Sequence, residues 1–272
     1  MNNLHRELAP ISAAAWTEME EEASRTVKRH LAARRVVDLR GPKGLEFAAV
    51  GTGYQRQIER PGDGIEAAQR EARPLVELRV PFELTREAID AVERGATDSD
   101  WSPLKEAARK IAFAEDRAVF DGYAAAGIQG VRQGTSNPVL TMPSSVDGYP
   151  GVVAQAVSQL RLAGVNGPYA LLLGTKPYTA IGGATDDGYP VLQHIQRLVD
   201  DGMIIWAPAI EGGVVVTTRG GDFELTIGQD ISIGYLSHSE TAVRLYFQET
   251  LTFRLLTTEA AVVLAQQAQK PA

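Results

Sequence analysis

Hydrophobic and polar positions follow two rhythms along this chain. The first is helical. Trp16, Met19, Ala23, Val27 and Leu31 recur at spacings of three and four, which predicts an amphipathic helix over residues 13–33. Ser12 stands where an N-cap is needed. Glu18, Glu20, Glu21 and Glu22 precede Arg25, Lys28, Arg29, Arg34 and Arg35, an order that complements the helix dipole. A second helix is expected over residues 85–93, capped by Thr85 and closed near Gly95. A third starts with Ser102 at N-cap and Pro103 at N1, and runs to about Ala126. Leu104, Ala108, Ile111, Val119 and Tyr123 supply its apolar side, and it is the longest predicted element. Glu115, Asp116 and Arg117 within it are expected to form surface or inter-subunit ion pairs.

The second rhythm is that of strands. Residues 35–39 read as a short strand ended by Gly41-Pro42. Residues 45–78 carry strand-like patches at 47–50, 54–58 and 75–80 around Pro61-Gly62-Asp63-Gly64, among many Arg, Glu and Gln. A two-stranded ribbon with so little apolar content is marginal alone. It is a mobile loop or an arm that docks on another subunit, where open strand edges favour pairing. A turn-rich loop covers 127–150. Helix 152–162, strand 169–173, helix 190–200 and strands 203–206 and 214–218 then predict a compact α/β unit. The last quarter is β-rich, with strands at 222–227, 231–235 and 242–256. In the last of these, Val243, Leu245, Phe247, Leu251 and Phe253 stand among polar neighbours. A short helix over 259–266 precedes a polar tail.

Composition narrows the functional classes. With 272 residues and 44% hydrophobic content, the chain can bury one large core or two small ones. A net charge of −7 excludes the basic footprint of a nucleic-acid binder. The absence of cysteine excludes disulfides, zinc–thiolate sites and a cysteine nucleophile. No apolar run reaches the ~20 residues of a membrane helix, and Met1–Glu7 does not read as a secretory signal. A soluble, cytoplasmic protein without membrane or nucleic-acid partners is expected.

Candidate chemistry is sparse. His5, His30, His194 and His238 lack ligand spacing, so no metal site is expected. Gly174-Thr175-Lys176 is only a fragment of a phosphate loop, and Gly51-Thr52-Gly53 has Arg56 where a dinucleotide fingerprint needs its third glycine. Neither a zincin motif nor a nucleophile elbow occurs. His238, between Ser237 and Ser239, sits in a turn-like segment without the through-space partners that a triad requires. Asp98-Ser99-Asp100 and Asp186-Asp187 are too short of oxygen ligands for a calcium loop and read as turns. Gly220-Gly221-Asp222 is a turn between strands. The chain reads as a subunit that assembles with copies of itself, with no catalytic residue.

Several runs, taken together, carry a resemblance. They are Leu8-Ala9-Pro10, the Trp16 helix, Arg34-Arg35-Val36-Val37-Asp38, Glu93-Arg94-Gly95, Gly167-Pro168-Tyr169, Gly188-Tyr189-Pro190 and Arg219-Gly220-Gly221-Asp222-Phe223. To these are added Gly228-Gln229-Asp230-Ile231-Ser232-Ile233-Gly234-Tyr235, and Val243-Arg244-Leu245 leading to Glu249-Thr250-Leu251-Thr252-Phe253. Their order and spacing resemble the encapsulin shell proteins, most of all the actinobacterial members also labelled culture-filtrate antigen or linocin-type bacteriocin. The resemblance spans essentially the whole chain. It implies an α+β fold similar to the tailed-phage major capsid protein, with a peripheral domain, an extended loop and an axial domain. Residues 1–44, 79–127 and 223–272 then form the peripheral domain, 45–78 the extended loop and 128–222 the axial domain.

The same resemblance implies an icosahedral homo-oligomer. Such shells enclose a cargo, here a dye-decolourising peroxidase or a ferritin-like iron-storage protein, which docks through a C-terminal peptide. The implied dock is an apolar groove at Val27, Leu31, Arg34, Asp38, Asp230 and Ile231, where aliphatic side chains anchor the peptide and charged rims fix its register. The implied five-fold pore is lined by Thr185, Asp186, Asp187, Gly188 and Tyr189, an acidic ring that favours cations. No cofactor is expected. Flavin-binding members use an aromatic residue in the short helix after the extended loop, and residues 85–93 contain none. Two alternatives remain: a phage capsid protein, though no N-terminal scaffolding segment is seen, or the bacteriocin or protease that family labels suggest, which no motif supports.

Overall fold

The computed structural model describes residues 3–186, 188–200 and 202–266. In chain order its elements are α1 (Ala13–His30), β1 (Asp38–Arg40), β2 (Ala49–Gln57), β3 (Ala68–Pro74), β4 (Val76–Thr85), α2 (Arg86–Glu93) and α3 (Ser102–Phe120). Next come α4 (Val131–Gly134), β5 (Leu140–Thr141), α5 (Tyr149–Leu162), β6 (Tyr169–Leu173), α6 (Thr175–Gly183), β7 (Thr185–Asp186), β8 (Tyr189–Pro190) and α7 (Val191–Leu198). The chain continues through β9 (Met203–Trp206), β10 (Gly213–Thr217), β11 (Phe223–Ile227), β12 (Ser232–His238), β13 (Ala242–Leu255) and β14 (Ala261–Ala265).

Two five-stranded sheets organise these elements. In the first, the order is β1-β11-β13-β12, with β4 on the other side of the long strand β13. The alternation in β13 places Leu245, Phe247, Leu251 and Phe253 in buried cores. In the second, the order is β5-β14-β10-β6-β9. Its central strands β6 and β10 are buried at every residue, which is why they read as unbroken apolar runs. Helices α1 and α3 cover one face of the first sheet, packing Met19, Leu104 and Ile111 against Leu245 and Phe247. Helices α5 and α7 cover the second, packing Leu160 and Ile195 against Leu171 and Val215. A third core joins the sheets, where Phe120 meets Leu172, Val216, Leu225 and Phe253. Each such side chain contributes about 1.5–3 kcal/mol of burial.

The ribbon has no share in these cores. Among the described strands β2 and β3 pair only with each other, and Tyr54, Ile58 and Ile65 lie exposed along the ribbon.

Five expectations from the sequence need correction. Residues 259–266 form a 3-10 turn and strand β14 rather than a helix. Ala261-Val262-Val263-Leu264 is buried throughout, so it has no polar face for a surface helix, and it slots between β10 and β5. The chain's last described strand therefore belongs to the second sheet. Helix α3 stops at Phe120, six residues short of Ala126: the amides of Asp121 and Gly122 both turn back to the Arg117 carbonyl, and Gly122 adopts φ +83°. Ser102 is a helical residue instead of the cap, and its amide donates to Asp100 Oδ1 at 3.0 Å. Residues 33–35 curl into a 3-10 turn, so β1 starts only at Asp38. Finally, Glu115 and Asp116 are fully buried and make their contacts inside the subunit. The pattern also gave no sign of α6, whose Pro177 and terminal glycines argue against a helix; Pro177 sits in the first turn, where it is tolerated, and Ile181 is buried.

Candidate functional site

Helix α1 is capped as expected, the Ala15 amide donating to Ser12 Oγ at 3.2 Å. Its buried stripe of Ala15, Met19, Ala23 and Val27 packs on the first sheet. The helix does not close down on the start of β12, and a cavity of about 530 Å³ opens between them. Val27, Leu31, Ile231, Ile233 and Phe247 give it apolar walls, while Lys28, Arg35, Arg34 and Asp230 supply charge. The N-terminal segment completes the wall with Leu4 and Arg6. That segment is tied down on both sides. The Tyr235 amide donates to the Leu4 carbonyl at 2.8 Å, and the Tyr246 hydroxyl to the Asn3 carbonyl at 3.1 Å. Arg6 stacks 4.0 Å over the Trp16 ring and pairs with Glu20 at 2.6 Å.

Beside the cavity lies a cluster of charges. Arg34 Nε donates to Glu115 Oε1 at 2.9 Å, and Arg34 Nη2 donates to Glu115 Oε2 at 2.6 Å. The same Nη2 reaches Glu249 at 2.7 Å and Asp230 at 2.9 Å. Glu115 comes from α3, Glu249 from β13 and Asp230 from the turn before β12. Both glutamates are fully buried, a cost that only pairing and hydrogen bonding can offset. Burial pulls the Arg34 pKa down, but its bonds to Glu115, Asp230 and Glu249 more than reverse this and leave it above the ordinary value. Burial pushes the Glu249 carboxyl well above the usual carboxylate range, and the neighbouring charge of Glu115 adds to it.

Asp116, one residue on from Glu115, anchors the same corner. Its carboxylate accepts the Ala32 amide at 2.9 Å and the Ala33 amide at 2.9 Å. These bonds bend the chain after Leu31 into the 3-10 turn that aims Arg34 at the cluster. Burial pushes Asp116 up to about 7, although the two amides pull it down.

Of the six residues expected to form a groove, Val27, Leu31, Arg34, Asp230 and Ile231 line this cavity. Asp38 does not. Its Oδ2 accepts the Gly221 amide at 2.6 Å, so it holds the turn between β10 and β11. Of the residues expected to line a pore, Thr185, Asp186 and Tyr189 belong to the two-rung hairpin β7–β8, Thr185 opposite Pro190 and Asp186 opposite Tyr189. Gly188 adopts φ +82° in its turn, and Arg197 stacks on the Tyr189 ring. Asp187 lies outside the described residues.

Glu115 and Glu249 were missed as a site, but their signal was in the pattern. Glu115 continues the α3 stripe of Leu104, Ala108 and Ile111 towards Val119, and Glu249 continues the inward alternation of Val243, Leu245 and Phe247 towards Leu251. A carboxylate on an apolar stripe calls for a buried cation. Among the described residues no group of acidic, His or Cys side chains could hold a metal ion. His238 Nδ1 lies 2.6 Å from the Tyr235 hydroxyl in an exposed pair.

The family described as "Encapsulating protein for peroxidase" matches residues 1–252. The type 1 encapsulin shell protein of Rhodococcus erythropolis is 59% identical over 265 residues, covering 97% of this chain and 100% of the relative. That of Mycobacterium tuberculosis is 56% identical over 265 residues, with the same coverage. The chain belongs to the encapsulin family. Its fold is also that of a virus-like particle from Pyrococcus furiosus, with a TM-score of 0.61 at 17% identity, covering 91% of this chain and 98% of the other. The capsid of Myoviridae phage XM1 matches with a TM-score of 0.56 at 10% identity, covering 87% and 92%. The phage likeness is one of fold, whereas the encapsulin likeness is one of sequence along nearly the whole chain. The relatives are shell proteins, so this encapsulin is a structural subunit and not an enzyme. No helix among its described residues is long and apolar enough to cross a membrane.

Proposed function

We propose that copies of this encapsulin close into an icosahedral shell, and that the cavity between α1 and β12 holds the C-terminal peptide of an enclosed cargo. The observation that carries the reading is the aliphatic wall of that cavity: Val27, Leu31, Ile231 and Ile233 face a space that no described residue of the subunit fills. An extended tail with small aliphatic residues suits such walls. A dye-decolourising peroxidase is the first candidate cargo, in keeping with the family's description, and a ferritin-like protein the second. The exposed ribbon β2–β3, which has no core of its own, docks on a neighbouring subunit. The β7–β8 hairpin lines the five-fold pore, where Asp186 and Asp187 favour cations. The shell works in the cytoplasm, to which a chain without cysteine is suited.

Negative-stain microscopy and a loading assay test this reading together. The purified protein is expected as uniform closed spheres. Co-expressed with a fluorescent protein carrying the last 20 residues of a dye-decolourising peroxidase from the same source, it is expected to co-sediment with fluorescence. A monodisperse monomer or dimer overturns the shell, and spheres without fluorescence overturn the peroxidase tail as the cargo signal.

A further inference from the structure

We infer that the docked tail is gripped by its main chain, as an added strand on the open edge of β12, and not by side-chain contacts alone. The inference rests on the cavity being the docking site.

β12 is the last strand of the β1-β11-β13-β12 order, so one side pairs with β13 and the other faces no described strand. In an antiparallel pair, residues alternate between bonding the partner strand and turning both backbone groups away from it. The Tyr235 amide donates to the Leu4 carbonyl, which assigns Tyr235 to the outward-facing set. Ile233, two residues earlier, belongs to the same set and turns its N–H and C=O to the same open edge. At Ile231 the amide is already taken by Asp230 Oδ1 at 2.8 Å. Ile233 is therefore the next position at which another chain can both donate and accept.

The side chains of Ile231 and Ile233 line the cavity that runs beside this edge. An open edge next to an apolar trough is the arrangement used for strand addition, in which main-chain bonds give affinity and alternate side chains give specificity. The N-terminal segment already shows this mode within the subunit. Leu4 puts its side chain into the cavity wall while its carbonyl takes the Tyr235 amide. The partner is accordingly an extended peptide segment with aliphatic residues at alternate positions and a free N–H facing Ile233.

The probe is the 20-residue peroxidase peptide, made unmodified and as a series with one backbone N-methyl group each. Binding to the intact shell is measured by fluorescence anisotropy. Amide exchange at Ile233 is measured with and without the unmodified peptide. Strand addition predicts at least tenfold weaker binding at alternate positions of one short stretch, and slowed exchange at Ile233. If the unmodified peptide binds, every methylated form binds within twofold and Ile233 exchanges as before, main-chain pairing is overturned while the groove stands. If the unmodified peptide does not bind, the peroxidase-tail reading falls and this inference falls with it.

Discussion

Arg34 and Glu115 meet through two parallel hydrogen bonds, Nε to Oε1 at 2.9 Å and Nη2 to Oε2 at 2.6 Å, in a corner where Glu115 is fully buried. This fork joins the 3-10 turn after α1 to the long helix α3, and through Glu249 to the long strand β13. Removing the guanidinium leaves two buried carboxyl groups facing one another. Arg34→Met is expected to cost about 3–5 kcal/mol at pH 8, read by urea unfolding. Glu249→Gln, whose amide oxygen can still accept from Arg34 Nη2, is expected to cost under about 1 kcal/mol. A larger loss for Glu249→Gln than for Arg34→Met contradicts Arg34 as the shared centre of the cluster.

Asp116 gives the fold a pH dependence of a definite sign. Its folded pKa of about 7 lies above the ordinary value of 3.8, so the folded state binds a proton that the unfolded state has released. The stabilisation is complete below the unfolded value and is lost as pH rises through the folded one, at about 1.4 kcal/mol per pH unit in between. Asp116→Asn removes this term. Plotted against pH from 4 to 8, the stability of the native protein is expected to fall relative to that of the variant. Parallel curves contradict a buried, proton-binding Asp116.

How far the sequence revealed this architecture depends on what kind of signal each part carries. Helix α1 and the strands β6, β9 and β13 were legible because their apolar spacing reports a face, and faces are set locally. The ribbon was legible by its lack of such a face. Strand β14 was not: a run of small and β-branched residues suits a buried strand or a buried helix, and only pairing with β10 and β5 decides it. The end of α3 was hidden because Gly122 packs against Gly130, a contact made by the fold rather than by the helix. In the groove, the aliphatic positions followed from resemblance and fell together, but Asp38 did not. A carboxylate's partner is chosen in space, and its partner is the Gly221 amide.

That separation gives a test of the groove. Ile231→Asp places a charge on an apolar wall and is expected to weaken binding of the peroxidase peptide at least tenfold, while its partial exposure spares the fold. Asp38→Ala is expected to leave the peptide affinity within twofold and to cost about 1 kcal/mol through the lost turn bond. Equal loss of binding in the two variants contradicts the placement of Asp38 outside the site.

Gly234 sits where the Tyr246 ring crosses β12. A Cβ there would stand 2.2 Å from Tyr246 Cζ. Gly234→Ala must displace the ring and with it the hydroxyl that holds the Asn3 carbonyl. A loss of about 1–3 kcal/mol is expected from overpacking. Tyr246→Phe removes only the hydrogen bond and is expected to cost about 1 kcal/mol. Both variants should speed amide exchange in the N-terminal segment, and unchanged exchange in both contradicts the role of Tyr246 as its anchor.

The ribbon separates folding from assembly. None of residues 51–72 enters the three buried cores, and Gly51 lies opposite Ala72 in the pairing of β2 with β3. Replacing residues 52–71 by an Asn-Gly turn therefore closes the ribbon at an existing rung with a turn suited to a hairpin. The subunit loses almost no apolar burial, so cooperative unfolding and the near-ultraviolet dichroism of its packed aromatic residues are expected to persist. The neighbour, by contrast, loses the surface that the ribbon was to cover. Sedimentation and negative-stain microscopy are expected to find small, folded species in place of closed spheres. If the shortened chain still closes into spheres of the original size, the ribbon is not the arm that joins neighbouring subunits. If it fails to fold, the ribbon contributes to the subunit's stability in a way that its exposed, core-free strands do not account for.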